Sequence, residues 1–145
     1  MTKKIFYSIF LVAIAVLLAC FSIIMGVLYD YSNTIQKNHM KDELELVAQA
    51  VETSGVQYLE RLETDSCRIT LVSSDGDVLY DSKTSADKME NHAKREEIKE
   101  ALKKGFGESS RYSATLTEET FYYAKKLANG NVVRVSVDHA TMLTL

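Results

Sequence analysis

The sequence contains no proline, two cysteines and three histidines among its 145 residues. The histidines, His39, His92 and His139, lie far apart, so no local zinc motif such as H-E-x-x-H is present. The glycines do not form a P-loop, a G-x-G-x-x-G or a G-x-S-x-G motif. Nothing in the sequence therefore points to a self-contained enzyme, and we expect no catalytic residue, metal or cofactor in this chain. The absence of proline also leaves the predicted strands uninterrupted.

Length and charge narrow the possible functions further. The formal net charge is −3, with 26% charged residues. An acidic balance argues against nucleic acid as a partner, because nucleic-acid binding needs a basic face. The length suffices for one membrane segment and one small domain, and it excludes a large multidomain enzyme.

Charge is missing altogether from residues 5–29. This mainly aliphatic block exceeds the ~18 residues that indicate a membrane-spanning helix. Three interpretations compete: a retained transmembrane helix, a cleaved signal peptide and a lipoprotein signal ending at Cys20. The apolar region of a signal peptide is only about 7–15 residues long, whereas here apolarity continues from Phe21 to Leu28. A lipidated Cys20 would be followed by a polar tether, so the sequence favours a retained helix.

The charges beside this block predict its orientation. Lys3 and Lys4 precede it, and Asp30 is the first charge after it. The positive-inside rule predicts a cytoplasmic tip at residues 1–4 and an extracytoplasmic segment at 30–145, in a single-pass protein. Cys67 is then the single thiol outside, so no intramolecular disulfide can form. We expect it to be buried rather than reactive.

Residues 30–64 show helical periodicity, with Gly55 as the first break. An apolar stripe recurs at spacings of three and four residues along this outer helix. The stripe can pack on the domain's own sheet or pair with a second copy in a homodimer, and it would then transmit motion to the membrane. Its members are Met40, Leu44, Val47 and Val51.

Residues 65–138 have the pattern of an α+β domain, in which five strands form a mostly antiparallel sheet covered by helices. A short helix is predicted at 96–104, ended by Gly105. Asp75-Gly76 and Asn129-Gly130 predict tight hairpins with primed turns. The predicted strands are 68–73, 78–81, 109–116, 121–127 and 132–138.

The outer segment resembles the sensor region of membrane-bound bacterial sensor histidine kinases of the phosphate-regulon type, especially those of Gram-positive bacteria. Each matching stretch alone is short, but their order and spacing are specific together, and they extend over about residues 40–138. The matching stretches are Asp42–Leu46, Arg68–Val72, Asp75–Ser82, Met89–His92, Arg95–Leu102, Arg111–Ser113 and Val133–Val137.

The resemblance implies a PAS-like sheet of five antiparallel strands in a bacterial cell membrane protein. Such kinases continue into a second membrane helix and a kinase part with a phosphoacceptor box of the form S-H-E-L-R-T-P-L. Here His39 is followed by Met40-Lys41-Asp42, and the chain has no proline, so the box is absent. We therefore expect the sensor end of a kinase, as a fragment or a truncated product, with residues 139–145 approaching a missing second span. ATP, Mg²⁺ and the response regulator would belong only to the missing kinase part.

In a PAS-like domain a ligand binds between the sheet and its covering helices, where convergent polar groups give selectivity. A cationic rim would favour a small anionic ligand, although a protein partner is the alternative. The same domain could also belong to a chemoreceptor or a cyclic-dinucleotide enzyme, or the chain could be a stand-alone anchored interaction protein. The candidate ligand-pocket residues are His92, Arg111, Tyr112, Tyr122, Tyr123, Lys125 and Arg134.

Overall fold

A computed structural model describes residues 2–62, 67–113 and 118–138. The predicted helical positions 63–64, the strand positions 114–116 and the approach to a second span at 139–145 lie outside the described residues. The chain forms two compact units, Met1–Lys37 and Asn38–Leu145. Each unit is described by itself below.

The first unit is helical throughout its described part. Helix α1 extends over Thr2–Ser54, so no break follows the apolar block, as its sequence predicts. Within the described residues, α1 is the one helix long and apolar enough to cross a membrane. The side chains of residues 5–29 are all exposed, as expected for a segment that is solvated by lipid rather than by protein. Even the polar Ser22 is satisfied locally, since its hydroxyl donates to the Leu18 carbonyl at 2.9 Å.

The second unit contains the rest of the fold and confirms the predicted α+β class. Helix α3 (Glu96–Lys104) and strands β2 (Val78–Asp81) and β5 (Val132–Asp138) have the predicted bounds. Gly105 ends α3 in the left-handed conformation with φ 89°. One 3₁₀ turn interrupts the irregular segment after β2. In chain order the elements are α2 (Val56–Arg61), β1 (Arg68–Val72), β2 (Val78–Asp81), the 3₁₀ turn (Ala86–Lys88), α3 (Glu96–Lys104), β3 (Phe106–Ser113), β4 (Glu118–Lys126) and β5 (Val132–Asp138).

Two strand starts differ from the prediction by three residues, and β1 and β4 each end one residue earlier than predicted. Strand β3 begins at Phe106 rather than Ser109, because Gly107 lets the strand pass directly beneath α3; a Cβ there would lie 2.2 Å from the Glu97 carbonyl oxygen. Strand β4 begins at Glu118, within a predicted loop. The first residues of β4 are held in the sheet by Thr120, whose hydroxyl donates to the carboxylate of Asp138 on β5 at 2.7 Å.

The five strands form one antiparallel sheet with the order β2-β1-β5-β4-β3. The chain folds the first two and the last three strands as hairpins, and β5 then enters the centre beside β1. Because side chains alternate along a strand, each strand divides its residues between two faces. One face packs on α1 and α2, and the other packs on α3.

The apolar stripe of α1 packs on the domain's own sheet. Met40, Leu44, Val47 and Val51 are all buried in one core cluster with residues of β1, β4 and β5. This is the first of the two predicted uses of the stripe. A surface for a second copy on this helix must therefore consist of other side chains.

Both predicted hairpin glycines have positive φ, but the loops are one residue longer than the predicted primed turns. In the first hairpin the Ser73 amide donates to the Asp77 carbonyl at 2.8 Å, and the Gly76 amide donates back to Ser73 at 3.0 Å. This is the pattern of a three-residue loop with glycine at its third position. The second hairpin repeats it at Leu127 and Gly130, and the two glycines have φ 93° and 89°.

The segment after β2 is fastened to the first hairpin. The Asn91 side-chain amide donates to the Asp75 carbonyl at 3.0 Å and to the Asp77 carboxylate at 2.7 Å. The His92 amide donates to the Gly76 carbonyl at 2.7 Å. These bonds give a polar, irregular segment a fixed position over the sheet.

We expect Gly76→Ala to destabilise the domain more than Gly130→Ala. Both residues have a φ that costs an L-residue about 1–2 kcal/mol. At Gly76 the added Cβ would also lie 2.5 Å from Ala93, whereas at Gly130 the nearest atom is 3.9 Å away. The extra steric cost is about 1–3 kcal/mol. Chemical denaturation followed by far-UV circular dichroism measures the free energy of unfolding of both variants. Equal losses of stability would contradict the close packing of this segment on the first hairpin.

Candidate functional site

A cavity of about 560 Å³ lies on the α3 side of the sheet. Its floor comes from β4 and β5, and its walls come from β1, β3 and the segment between β2 and α3. Five of its side chains are cationic, and two, Glu90 and Asp138, are acidic. The lining residues are Cys67, Arg68, Lys83, Met89, Glu90, His92, Arg95, Arg111, Thr120, Tyr122, Arg134, Ser136, Val137 and Asp138.

Strand alternation brings the polar floor together. Tyr122 on β4 lies opposite Ser136 on β5, which in turn lies opposite Arg68 on β1. The residues between them, such as Tyr123 and Val135, belong to the core cluster on the α1 side. The same strands thus supply a polar face to the cavity and an apolar face to the core.

Glu97, in the first turn of α3, is a buried carboxylate on which the site is organised. Its side chain is 0% exposed. One oxygen accepts from the Ser109 hydroxyl at 2.7 Å and from the Arg111 guanidinium. The other oxygen accepts from Arg134 at 3.3 Å. One carboxylate thereby fixes two arginines from different strands, a geometry that suits the planar guanidinium fork.

The charges in this cluster do not cancel. Burial alone would raise the pKa of the Glu97 carboxyl, but hydrogen bonds from Ser109 and Arg111 outweigh it and hold the pKa below its ordinary value. Two arginines against one carboxylate leave one positive charge. Arg134 is 3% exposed, also donates to the Thr70 hydroxyl at 3.0 Å, and its Nε has no hydrogen-bond partner among the described residues.

Tyr122 lies against both arginines. The Arg111 guanidinium carbon is 4.1 Å from the centre of its ring, and that of Arg134 is 5.3 Å away. An aromatic face stabilises a cation at these distances without neutralising it. Tyr122 therefore holds both guanidinium groups in place and leaves their charge available to the cavity.

Arg68 forms a second ion pair at the edge of the cavity. Its Nε donates to both oxygens of Asp81 at 3.0 and 2.9 Å. Burial raises the pKa of the Asp81 carboxyl, but the bonds from Arg68, the Lys83 amide and Thr70 lower it further than burial raises it. The Lys83 backbone amide also donates to the Asp81 carboxylate at 3.0 Å. The carboxylate that pairs with Arg68 therefore also fixes the first residues of the segment after β2.

The remaining cations are less constrained. Lys83 and Arg95 line the cavity, and neither has an ion pair within the described parts of the chain. Arg95 is the residue immediately before α3. These two side chains can turn toward a bound molecule without breaking an existing pair.

The structure gathers four of the seven predicted pocket residues around this cavity and places three elsewhere. His92, Arg111, Tyr122 and Arg134 line the cavity. Tyr123 is buried on the opposite face, where burial raises its pKa to about 12. Lys125, two residues further along β4, forms an ion pair with Glu45 of α1. Tyr112 is 64% exposed and does not line the cavity.

Several lining residues are absent from the sequence-based prediction. Arg68, Lys83 and Arg95 supply three of the five cations. Ser136, Thr120 and Asp138 add polar floor atoms. The signal that could have found Arg68 is its cross-strand position opposite Ser136, which requires the register of β1 and β5. No local pattern marks Lys83 or Arg95. Their places at the cavity depend on the segment between β2 and α3, which is held by contacts with residues distant in sequence.

The chemistry available in this site is that of binding. The part of the chain that the structure describes holds no group of three or more His, Cys, Asp or Glu arranged for a metal ion. The Cys67 thiol donates to the Glu43 carboxylate at 3.3 Å and is buried. The dominant feature is instead a set of guanidinium and ammonium groups, which bind carboxylate, sulfate or phosphate oxygens.

We expect Glu97→Gln to destabilise the domain by about 3 kcal/mol or more, since it removes the charge that pairs with the buried Arg134. The exposed neighbour Glu96→Gln is the matched control and should change stability by less than about 0.5 kcal/mol. Because the folded pKa of Glu97 is lowered, its contribution is present above its ordinary pKa of 4.5 and is lost as the pH falls through the folded value. Denaturation at neutral and acidic pH measures this, and equal stability of the two variants at neutral pH would contradict it.

Known proteins are similar to this chain. The sequence over residues 30–136 matches the profile of Single Cache-like domains. No significant match occurs among curated protein sequences. One similar solved structure is the extracellular domain of rpHK1S-Z16, assigned as a histidine kinase, with 17% identity and a TM-score of 0.46, covering 64% of this chain and 39% of that chain.

A second similar structure is the Bacillus subtilis YkuI protein, which has an EAL domain and was solved with its substrate c-di-GMP and calcium. It has 13% identity and a TM-score of 0.46, and the match covers 76% of this chain and 35% of that chain. This chain therefore spans about two fifths or less of either solved chain. The profile match extends over most of the sequence, and the chain belongs to the Single Cache-like family of sensor domains.

Proposed function

We propose that this domain is the extracytoplasmic sensor of a bacterial membrane receptor and that its cavity binds a small anion. The observation that carries the proposal is the cavity of about 560 Å³ with five cationic side chains in its lining. Its volume lies within the roughly 300–1,000 Å³ range of small-molecule sites. A protein partner would need a broader surface.

The charges around the cavity favour an anion over a neutral ligand. Arg68, Arg111 and Arg134 are opposed by the carboxylates of Asp81 and Glu97, which leaves one positive charge. Lys83 and Arg95 are balanced by the two acidic lining residues. With a neutral His92, the lining and its paired carboxylates therefore carry one net positive charge. A concave site with this charge attracts an anion and holds it among pre-positioned donors.

The receptor that we propose is a two-component sensor histidine kinase of the phosphate-regulon type. The support is the ordered series of sequence stretches from Asp42 to Val137 that resembles those sensor regions. In that case ATP, Mg²⁺ and a response regulator act on a kinase part outside this chain. A chemoreceptor, a cyclic-dinucleotide enzyme or a stand-alone anchored protein would use the same domain differently, and the coding sequence after Leu145 distinguishes them.

The orientation is part of the same proposal. Lys3 and Lys4 before the apolar block, and Asp30 after it, support a cytoplasmic N-terminus. The cavity would then face the outside of the membrane, where an external ligand reaches it. Protease protection of the sensor domain in inverted and right-side-out vesicles reads this orientation directly.

Signal transmission would begin at β4, which contacts both the cavity and α1. Tyr122 faces the cavity, whereas Tyr123 is buried against α1 and Lys125 pairs with Glu45 of that helix. A ligand that moves Tyr122 and Arg111 would shift the strand and with it the contacts of the helix. The ligand changes the signalling equilibrium only by its different affinity for the two arrangements.

A homodimer would pair through α1 side chains outside the buried stripe. Leu46 supports this proposal, because it is 67% exposed on a helix whose other outward positions nearby are polar. We expect Leu46→Asp to reduce the dimer fraction of the full chain in nanodiscs, measured by chemical cross-linking. Gln49→Asp, a change at another exposed position on the same helix, should leave the fraction unaltered. Equal cross-linking of the two variants would count against this interface.

The ligand-binding proposal is tested with the full chain in nanodiscs and a panel of carboxylates, sulfate and inorganic phosphate. We expect at least one anion to raise the thermal midpoint and to bind in calorimetry. Arg95→Gln should weaken that binding about tenfold, as expected for loss of a charge-assisted hydrogen bond. The adjacent Lys94 does not line the cavity, so Lys94→Gln should bind like the unaltered chain. Absence of binding by every anion, or equal loss in the two variants, would reject the proposal.

A further inference from the structure

His92 is a buried cavity residue with only one of its two ring nitrogens in a hydrogen bond to the described residues. It is 4% exposed, lines the cavity, and is fastened through its backbone to the Gly76 carbonyl. Its ring Nδ1 lies 2.6 Å from the Glu90 carbonyl oxygen. The imidazole is therefore held by one nitrogen, and no hydrogen bond of its Nε2 to another described residue is present.

The contact with the Glu90 carbonyl decides which nitrogen carries the proton. A carbonyl oxygen can only accept, so Nδ1 must donate and keeps its hydrogen in both charge states. In the neutral ring Nε2 is then an acceptor, and on protonation it becomes a donor. A single proton thus converts this position from one that repels an anion's oxygen to one that binds it.

The charged groups around His92 oppose its protonation while the cavity is empty. Arg134 on β5 and Arg95 before α3 are cations, whereas Glu97 on α3 and Glu90 in its own segment are anions. Burial lowers the pKa of His92 and the two arginines lower it further, which outweighs the opposing effects of the Glu90 carbonyl and Glu97. Across the cavity the further charged groups are Arg68, Lys83, Arg111 and Asp138.

We propose that anion binding in this cavity is coupled to uptake of one proton by His92. This rests on the proposed anion-binding function and adds a pH dependence to it. The bound anion adds negative charge beside His92, and Nε2–H then donates to it. The proton comes from a hydronium ion or a buffer acid in solvent, whose bond to that proton breaks as the Nε2–H bond forms. By linkage, acidification from neutral pH tightens anion binding, and the anion raises the proton affinity of His92.

The size of the effect follows from the shift that the anion causes. If binding raises the pKa of His92 by about one unit, the affinity at a pH below both values is about tenfold higher than at a pH above both. The carboxyls of Asp81 and Glu97 have lowered pKa values and stay ionised throughout the window of about pH 5.5–7.5. His92 is therefore the side chain of this cavity that we expect to titrate in this window.

The first test measures the His92 pKa in the full chain in nanodiscs, by NMR of ¹³C- and ¹⁵N-labelled histidine rings. Sulfate is the probe, because its own charge is constant across this range. We expect the ring to show the Nδ1–H form when neutral and its pKa to rise by about one unit on saturation with sulfate. The exposed His39 on α1 is the internal control, because it does not line the cavity, and sulfate should leave its ring signals unchanged. A pKa of His92 that sulfate leaves unchanged would overturn the proposal.

The second test measures the sulfate dissociation constant between about pH 5.5 and 7.5. We expect binding to tighten by several-fold, and by at most about tenfold, toward the acidic end in the unaltered chain and in His39→Gln, and a flat profile in His92→Gln. If His92→Gln does not fold, calorimetry of the unaltered chain in buffers of different ionisation enthalpy reports the proton uptake directly. Sulfate binding without proton uptake would overturn the coupling and leave the proposed function intact. No binding of any anion at any pH would reject the proposed function as well.

Discussion

The buried carboxylate of Glu97 is the interaction on which the rest of the site depends. Two guanidinium groups on β3 and β5 can approach each other only because one anion lies between them. The position of that anion is in turn fixed by α3, whose first turn lies directly over Gly107. Helix position, strand position and cavity charge are therefore linked through one side chain.

The sheet serves two purposes because its strands alternate. On one face β4 and β5 contribute Tyr123, Val133 and Val135 to the core that covers α1. On the other face they contribute Tyr122, Arg134 and Ser136 to the cavity. Only the thickness of the sheet therefore separates the cavity on one face from the helix on the other, without a chain of intermediate residues.

Local chemistry made much of the fold predictable. The α3 bounds followed from acidic residues in the first turn, basic residues in the last and Gly105 at the end, all of which lie within ten residues. The hairpin glycines were found for the same reason, although the loops proved one residue longer. The starts of β3 and β4 were missed because contacts with α3 and β5, which are distant in sequence, extend those strands. Of the predicted pocket residues, His92, Arg111, Tyr122 and Arg134 line the cavity, whereas Tyr112, Tyr123 and Lys125 have other surroundings.

The sequence by itself determined the apolar helix, the α+β order of elements and the existence of an apolar stripe on α1, because each depends on periodicity or on neighbours along the chain. Only the tertiary structure decided that the stripe packs on the domain's own sheet and that Arg68, Lys83 and Arg95 join the cavity. Those outcomes depend on cross-strand register and on the fastening of the segment before α3 to the first hairpin. Such contacts join residues that are far apart in the chain, so no local pattern encodes them.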